Sequence, residues 1–221
     1  MNLEVPVIRQ APSSPDCVYA CFAMLLAFHG EPVPIEDLKG SIEDWFFTTL
    51  GCDLLRRGYA VRMKSLHPSL FTVHDVGRLT TTEGILARLD VVGRKENLSD
   101  DEGLALRYAR AFVEQGGVIE AGIPVADDIR REIELGFPLI TVFEHNLLGG
   151  DLPGSYLHAN VITGIDEQYV YVNDPLWDER GGRQRYPIES FLYAIHAATM
   201  GDLDNGSLVM VRPPQRSARP S

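Results

Sequence analysis

The hydrophobic pattern of residues 14–30 is typical of one amphipathic helix. Its apolar positions are separated by the steps of a helix face: Cys17, Ala20, Cys21, Met24, Leu25 and Phe28. Ser14 is the predicted N-cap, because its side chain can accept a hydrogen bond from the first helical turn, and Pro15 fits the first helical position. Gly30 then ends the helix. The pattern therefore predicts that Cys17 lies in the first turn of a helix.

The rest of the chain divides into a helical part and a strand-rich part. Helices are predicted over 34–42 and 43–57, from Thr82 onward, over 99–115 and over 124–135, with a strand over 59–64. Strands are then predicted over 138–143, 157–165, 169–174 and 207–211, with one helix over 188–197. Helices followed by strands along the chain favour the α+β class.

Length and composition favour a single domain with one substantial core. The chain has 221 residues, of which 45% are hydrophobic and 23% charged. We expect this domain to span residues 1–211, with 43–124 as a helical insertion or lid. Residues 212–221 are rich in Arg, Pro and Ser and are expected to form a disordered tail.

The charge balance argues against two classes of partner. The chain has 20 basic and 31 acidic residues, a net charge of −11 at pH 7. Such a charge repels the nucleic-acid backbone and anionic membrane surfaces, so we expect neither as a partner. No apolar run approaches the ~20 residues of a membrane span, and the N-terminus does not resemble a signal peptide. We therefore expect a cytoplasmic protein.

The cysteines, histidines and glycines indicate no bound cofactor. Three cysteines are an odd number for a disulfide framework and leave room for a free thiol. No Cys/His spacing fits a zinc site, and no glycine-rich segment fits a phosphate loop. We expect neither a metal nor a cofactor.

Cys17 is the candidate nucleophile because it lies in the first turn of the predicted helix. At a helix N-terminus the unpaired backbone N–H groups and the helix dipole stabilise a negative charge, and hence a thiolate. The alternative is that Cys17 is a small apolar core residue, as its position on the hydrophobic face also allows. Cys21, one turn further along the helix, fits that second role well. The local pattern alone leaves both roles open for Cys17.

His158 is the candidate base, because the predicted hairpin brings an acid near it. If the turn has three residues, position 164 pairs with position 168 and His158 falls opposite Asp174. An imidazole beside a carboxylate is the arrangement of an oriented general base. The alternative is a histidine with a structural role in the strand. His145 is predicted to lie in a loop near the same cleft, where it could contact substrate or simply be solvated.

These residues resemble the signature of the papain-like cysteine peptidases. Gln10, the run DCVYACFAMLL from Asp16, and Gly30 are similar to the N-terminal helix of the bacteriocin-processing (double-glycine leader) peptidases and their stand-alone relatives. In that family a strand led by His is followed by an acid before Pro, as His158 is followed sixteen residues later by Asp174. The segments 129–142 and 181–191 also resemble the family's helix–strand unit and closing helix.

The resemblance implies a papain-like α+β fold, in which the nucleophile helix packs on an antiparallel sheet. It also implies a role for each site residue. Cys17 would be the nucleophile, His158 the base and Asp174 the group that orients the imidazole. The Gln10 side chain and the Cys17 backbone N–H would stabilise the oxyanion.

Two positions differ from the family pattern. Val18 replaces the glycine that usually follows the nucleophile, and Gln10 stands seven residues before Cys17 instead of six. We expect Val18 and His145 to contact substrate.

The implied activity is that of a thiol hydrolase acting on peptide or small amide substrates. Two alternatives remain open. The same acyl-enzyme could be passed to an amine, which would make the protein an acyltransferase. The module could also be catalytically silent and only bind a peptide. The sequence leaves the oligomeric state undetermined.

Overall fold

The structure is a computed structural model that describes residues 1–41, 46–149, 154–200 and 205–214. Its helices are α1 (Cys17–Phe28), α2 (Ile35–Ser41), α3 (Phe47–Arg56), α4 (Thr82–Gly93), α5 (Asp100–Glu114), α6 (Ala126–Glu134), α7 (Asn146–Gly149) and α8 (Ile188–Ala197), followed by a 3₁₀ turn at Ala198–Met200. Its strands are β1 (Ala60–Ser65), β2 (Val118–Ala121), β3 (Leu139–Glu144), β4 (Leu157–Ile165), β5 (Tyr169–Asp174), β6 (Gly182–Pro187) and β7 (Leu208–Arg212).

The seven strands form one sheet in the order β2-β1-β7-β3-β4-β5-β6. The α+β class predicted from the sequence is therefore confirmed. One detail is corrected: the sheet is not wholly antiparallel, because β1 and β2 run parallel. Both belong to the segment 43–124, which therefore supplies two strands of the central sheet as well as helices.

The two strands that the sequence did not predict, β2 and β6, are the two edges of the sheet. β2 has only four residues, too few to show a strand period. β6 is polar along most of its length, and its side chains alternate between exposed and partly buried positions. Edge strands with one solvated face lack the hydrophobic alternation that identifies a buried strand.

The sheet is covered on both faces by apolar side chains. One hydrophobic cluster joins α1, α3, α4 and α5 to the sheet, and a second joins α6 and α8 to β3, β4 and β5. Within α1, nine residues are buried, and burying a Leu or Phe side chain stabilises a fold by about 1.5–3 kcal/mol. This packing holds the start of α1 in a fixed position against β4.

The helix α1 begins later than the sequence predicts. Its N-cap is Asp16 instead of Ser14, and Cys17 is the first helical residue. The difference arises in the preceding loop. There Ser13 has φ 58°, a left-handed conformation that a right-handed helix does not contain. The predicted end is confirmed, since Gly30 follows the helix with φ 84°.

A capping box begins α5 at Ser99. The Ser99 side chain accepts from the Glu102 backbone N–H, and the Glu102 carboxylate accepts from the Ser99 N–H at 2.9 Å. None of the helices in the described ranges is long and apolar enough to cross a membrane.

The expectation that Arg212 belongs to a disordered tail is wrong. It is the last residue of β7. Its guanidinium donates to both carboxylate oxygens of Glu132, at 2.9 and 3.1 Å, and lies 5.1 Å from the centre of the Phe137 ring. The ion pair and the cation–π contact hold the end of the strand. The rest of the predicted tail, from residue 215 on, lies outside the described residues.

Candidate active site

A cavity of about 420 Å³ opens where the start of α1 meets β3 and β4. Cys17 and Val18 form its α1 wall, and Phe47 contributes from α3. The remaining lining is mainly apolar, with Tyr156, Leu157 and Trp177 among its larger side chains. Such a cavity, with few polar groups among apolar walls, is the usual form of a small-molecule or peptide site.

Cys17 combines exposure to this cavity with a helix N-terminus. It is partly exposed, whereas the other two cysteines are buried. As the first residue of α1, it lies among backbone N–H groups that have no partner within the helix. These groups favour a negative charge on the sulfur and could also bind a developing oxyanion.

Gln10 lies in the same cavity wall. Its Nε2 donates one hydrogen bond to the Ser14 carbonyl oxygen at 2.6 Å, which leaves the second N–H of the amide available. Its backbone N–H donates to the Pro175 carbonyl oxygen at 2.8 Å and so joins this loop to the end of β5. Between Gln10 and Cys17, the backbone of Ser13 is in a left-handed conformation with φ 58°.

His158 and Asp174 are in direct contact, as the hairpin predicts. The Nε2 atom of His158 lies 2.8 Å from Oδ1 of Asp174, and both side chains are fully buried. The same Oδ1 accepts a hydrogen bond from the backbone N–H of Leu176, also at 2.8 Å. The carboxylate is therefore fixed by its own chain as well as by the imidazole.

The predicted hairpin register is wrong, although the contact forms. The ladder contains the pairs Val161–Asn173, Ile162–Val172, Gly164–Tyr171 and Ile165–Val170. Asp174 is consequently diagonal to His158 instead of directly opposite, a position still within reach of a long side chain. The register shifts between Ile162 and Gly164. There the N-terminal residues cross the strand, and a side chain at Gly164 would meet the Met1 carbonyl oxygen at 2.6 Å.

The surroundings of His158 favour its charged form. Burial lowers the pKa of the ring, but the hydrogen bond to Asp174 and the neighbouring Cys17 thiol outweigh it and raise the pKa to about 9. Within the described part of the chain, the ring's Nδ1 has no hydrogen-bond partner. One nitrogen is thus held by the acid while the other remains available to exchange a proton with Cys17.

Two aromatic residues of the site were not assigned a definite role from the sequence. The Tyr156 ring stacks on the His158 ring, with 5.5 Å between centroids and 16° between planes, and also lines the cavity. Trp177 is 44% exposed and forms part of the cavity wall. The sequence does indicate that Tyr156 lies near His158. It stands two residues before His158, and side chains two residues apart in a strand lie on the same face.

Of the two predicted substrate contacts, the structure places Val18 in the cavity wall but not His145. Val18 lines the cavity directly beside Cys17. The expectation that His145 lines the cleft is wrong, because the side chain is only 1% exposed and is not part of the cavity wall. It directly follows β3 and is buried beside Asp174, with its Nδ1 3.8 Å from the carboxylate Oδ2.

The other two cysteines are poorly suited to nucleophilic chemistry. Burial raises the pKa of Cys21 well above its usual value, and the side chain is fully buried. Burial also raises the pKa of Cys52, whose sulfur accepts a hydrogen bond from Gln115 Nε2 at 3.4 Å. Among the described residues, no group of three or more His, Cys, Asp and Glu side chains is arranged to hold a metal ion.

Val18 should limit the size of reagents that reach Cys17. We expect Val18→Gly to raise the rate of Cys17 alkylation by a bulky maleimide about 10-fold. A change of this size in a pocket wall typically alters the discrimination between a large and a small reagent by that factor. The rate with iodoacetamide, a small reagent, should change little. Glycine in a helix costs about 1 kcal/mol, so the melting temperature should fall. Val18→Ala is the matched intermediate, and equal rate changes for both reagents would contradict this role.

Part of this chain matches the model of a peptidase family. The model of the Peptidase_C39 like family matches residues 104–199. This segment includes His158 and Asp174 but not Cys17 or Gln10. A search of curated proteins gave no significant match.

Three solved structures are also similar to this chain. A protein from Bacillus anthracis described as a C39-like peptidase is 16% identical, with 96% of each chain covered and a TM-score of 0.48. A double glycine motif protease from an AMS/PCAT transporter, in complex with the leader peptide, is 18% identical (96% of this chain, 94% of that chain, TM-score 0.38). The peptidase domain of Streptococcus ComA, a bifunctional ABC transporter, is 14% identical (95% and 99%, TM-score 0.42).

The family match thus confirms the resemblance seen in the sequence, and over residues 104–199 this chain is similar to the C39-like peptidases.

Proposed function

We propose that this protein is a cysteine peptidase-like thiol hydrolase that cleaves peptide or amide bonds with Cys17, His158 and Asp174. The proposal is carried by the way in which both nitrogens of the His158 ring are placed. His158 is held by Asp174 through one ring nitrogen, and its other nitrogen is available beside the thiol at the start of α1. Nucleophile, base and orienting acid are the parts that covalent amide hydrolysis requires.

The proposed reaction proceeds in two steps. The Cys17 thiolate attacks the carbonyl carbon, and the negative charge moves to the carbonyl oxygen. The Cys17 backbone N–H and the free N–H of Gln10 Nε2 stabilise that oxyanion. The His158 imidazolium then gives its proton to the leaving amine nitrogen as the C–N bond breaks, which leaves a thioester on Cys17. His158, now neutral, removes a proton from water, which attacks the thioester and releases the acid and the thiolate.

The cavity favours an apolar side chain next to the bond that is cleaved. Val142, Leu157, Leu176 and Trp177 line it, together with Val18. Among the described residues of the wall, Arg180 is the charged one, and its guanidinium pairs with Asp178 at 2.5 Å. We therefore expect cleavage beside apolar residues in an extended peptide.

We further propose that the chain through Arg212, the last residue of β7, forms one catalytic domain in which the segment 43–124 restricts access. Phe47 supports this role, because it extends from α3 into the cavity wall. The cytoplasm is the proposed location, supported by three free cysteines.

A defined peptide mixture tests the proposed function. Incubation should give products cut at a limited set of apolar sites, and mass spectrometry of quenched reactions should detect an acyl group on Cys17. Cys17→Ala should abolish both, whereas Cys52→Ala, the matched control, should not. An added amine that accepts the acyl group would reveal acyl transfer. Binding of peptides without any cleavage or acylation would contradict hydrolysis and favour the silent binding module, which Val18 beside the thiol makes the second candidate.

A further inference from the structure

His145 and Asp174 present two unpartnered polar groups to each other in the interior. Oδ2 of Asp174 is buried and accepts no hydrogen bond from the described residues. Both ring nitrogens of His145 are likewise buried and unpartnered within the described ranges. Their separation, 3.8 Å between Nδ1 and Oδ2, is longer than a hydrogen bond. An approach of about 0.8 Å would bring the two atoms to the usual N–H···O distance.

The position of His145 is set by the sheet and not by solvent. Its backbone N–H donates to the Tyr156 carbonyl oxygen at 2.9 Å, which extends the β3–β4 ladder by one more pair. Its ring stacks on Phe143, at 6.1 Å and 19°, and meets the His158 ring edge to face at 5.4 Å. A polar side chain enclosed in this way is costly unless it makes a hydrogen bond.

From this geometry we infer that His145 is a positioning residue: its Nδ1–H donates to Oδ2 of Asp174 and fixes the carboxylate so that Oδ1 faces His158. The inference rests on the proposed function, since it gives His145 a role in the same site. Without such a donor, Asp174 is held through Oδ1 alone. The carboxylate could then rotate about its Cβ–Cγ bond, and the contact with His158 would be made for less of the time.

The charge state of His145 is consistent with a neutral donor. Burial lowers the pKa of His145; Asp174 raises it, and His158 lowers it further. Beyond those two groups, the charges that face the ring are Arg180, which lowers the pKa, and Asp178, which raises it. A neutral imidazole has one N–H donor, and Asp174 Oδ2 is the acceptor beside Nδ1.

Three variants test the role of this donor. His145→Leu removes the N–H but fills the buried space, His145→Asn puts an amide N–H where Nδ1 lies, and His145→Gln moves that N–H one atom further out. The readout is the NMR titration of His158 in protein with labelled histidine. Assignment comes from the signal that disappears in His158→Ala.

We expect the midpoint of His158, about 9 in the unaltered protein, to fall by ~1 pH unit in His145→Leu and in His145→Gln. It should stay unchanged in His145→Asn, which retains the donor. The alkylation rate of Cys17 at neutral pH should follow the same order. A role in packing alone would change the melting temperature of the Leu variant without moving the His158 midpoint.

Two results would overturn the inference. One is an unchanged His158 midpoint in His145→Leu, or in His145→Gln if the Leu variant does not fold. The other is a midpoint in His145→Asn as low as in the Leu and Gln variants, since the donor would then be irrelevant. The titration does not require turnover. Absence of peptide cleavage would therefore defeat the proposed function while the coupling of His145 to His158 is still measured.

Discussion

Replacing His158 with Ala should lower the alkylation rate of Cys17 by iodoacetamide at neutral pH about 100-fold, because a positioned base typically contributes 10²–10⁴-fold. The imidazole lies beside the thiol and, with a pKa near 9, is protonated at neutral pH. Its positive charge stabilises the thiolate, which is the reactive form. The measurement is the time course of alkylation, with the modified residue located by mass spectrometry.

His74→Ala is the matched control for that prediction. His74 is exposed and is not part of the cavity wall, so its loss should leave the rate unchanged. Cys21 and Cys52, both buried, should remain unmodified on the same time scale in the folded protein. A His158→Ala variant that folds normally and is alkylated at the original rate would show that His158 does not activate Cys17.

Two replacements of Asp174 should distinguish the effect of its negative charge from the effect of its hydrogen-bond acceptor. Asp174→Asn keeps an oxygen that can accept from His158 and from the Leu176 backbone N–H. It should therefore reduce the Cys17 alkylation rate only about 10-fold, whereas Asp174→Ala should reduce it ~100-fold because the ring loses its fixed orientation. Both variants lose the negative charge that raises the pKa of His158, so the His158 midpoint should move from about 9 toward 6.5.

Melting temperature distinguishes this effect from a structural one. If Asp174 merely holds the turn through Leu176, Asp174→Ala should lower the melting temperature and leave the rate unchanged. Glu167→Gln, an exposed acid in the turn of the same hairpin, should affect neither quantity. A loss of stability without a loss of rate would remove Asp174 from the proposed site.

The elements that the sequence predicted well are those with a buried face. The bounds of β4, β5 and α8 agree with the structure residue for residue. For α1, the apolar stripe located the helix correctly, but its first residue depended on a left-handed conformation at Ser13. No periodic pattern reports such a local backbone choice, so the start of the helix was predicted too early.

The site itself was predicted in part, because long-range packing decides the remainder. The contact of His158 with Asp174 followed from the hairpin. The register of the hairpin could not be predicted in the same way, since the irregularity at Gly164 depends on the distant N-terminal residues Met1 and Asn2. The placement of His145 depends on its pairing with Tyr156 beyond the end of β3. The alternation of side chains along β3 does not indicate that His145, the residue after the strand, is buried beside Asp174 of β5.

NMR titration of His158, in the unaltered protein and in Cys17→Ser, tests whether the His158 ring and the Cys17 thiol act as a pair held by Asp174. We expect a midpoint near 9 for the unaltered protein. The midpoint should fall by ~1 pH unit in Cys17→Ser, because a hydroxyl that does not ionise then replaces the thiol beside the ring. A midpoint near 6.5 that is the same in both proteins would show that Cys17 and His158 do not act together, since the imidazole would then be insensitive to the thiol.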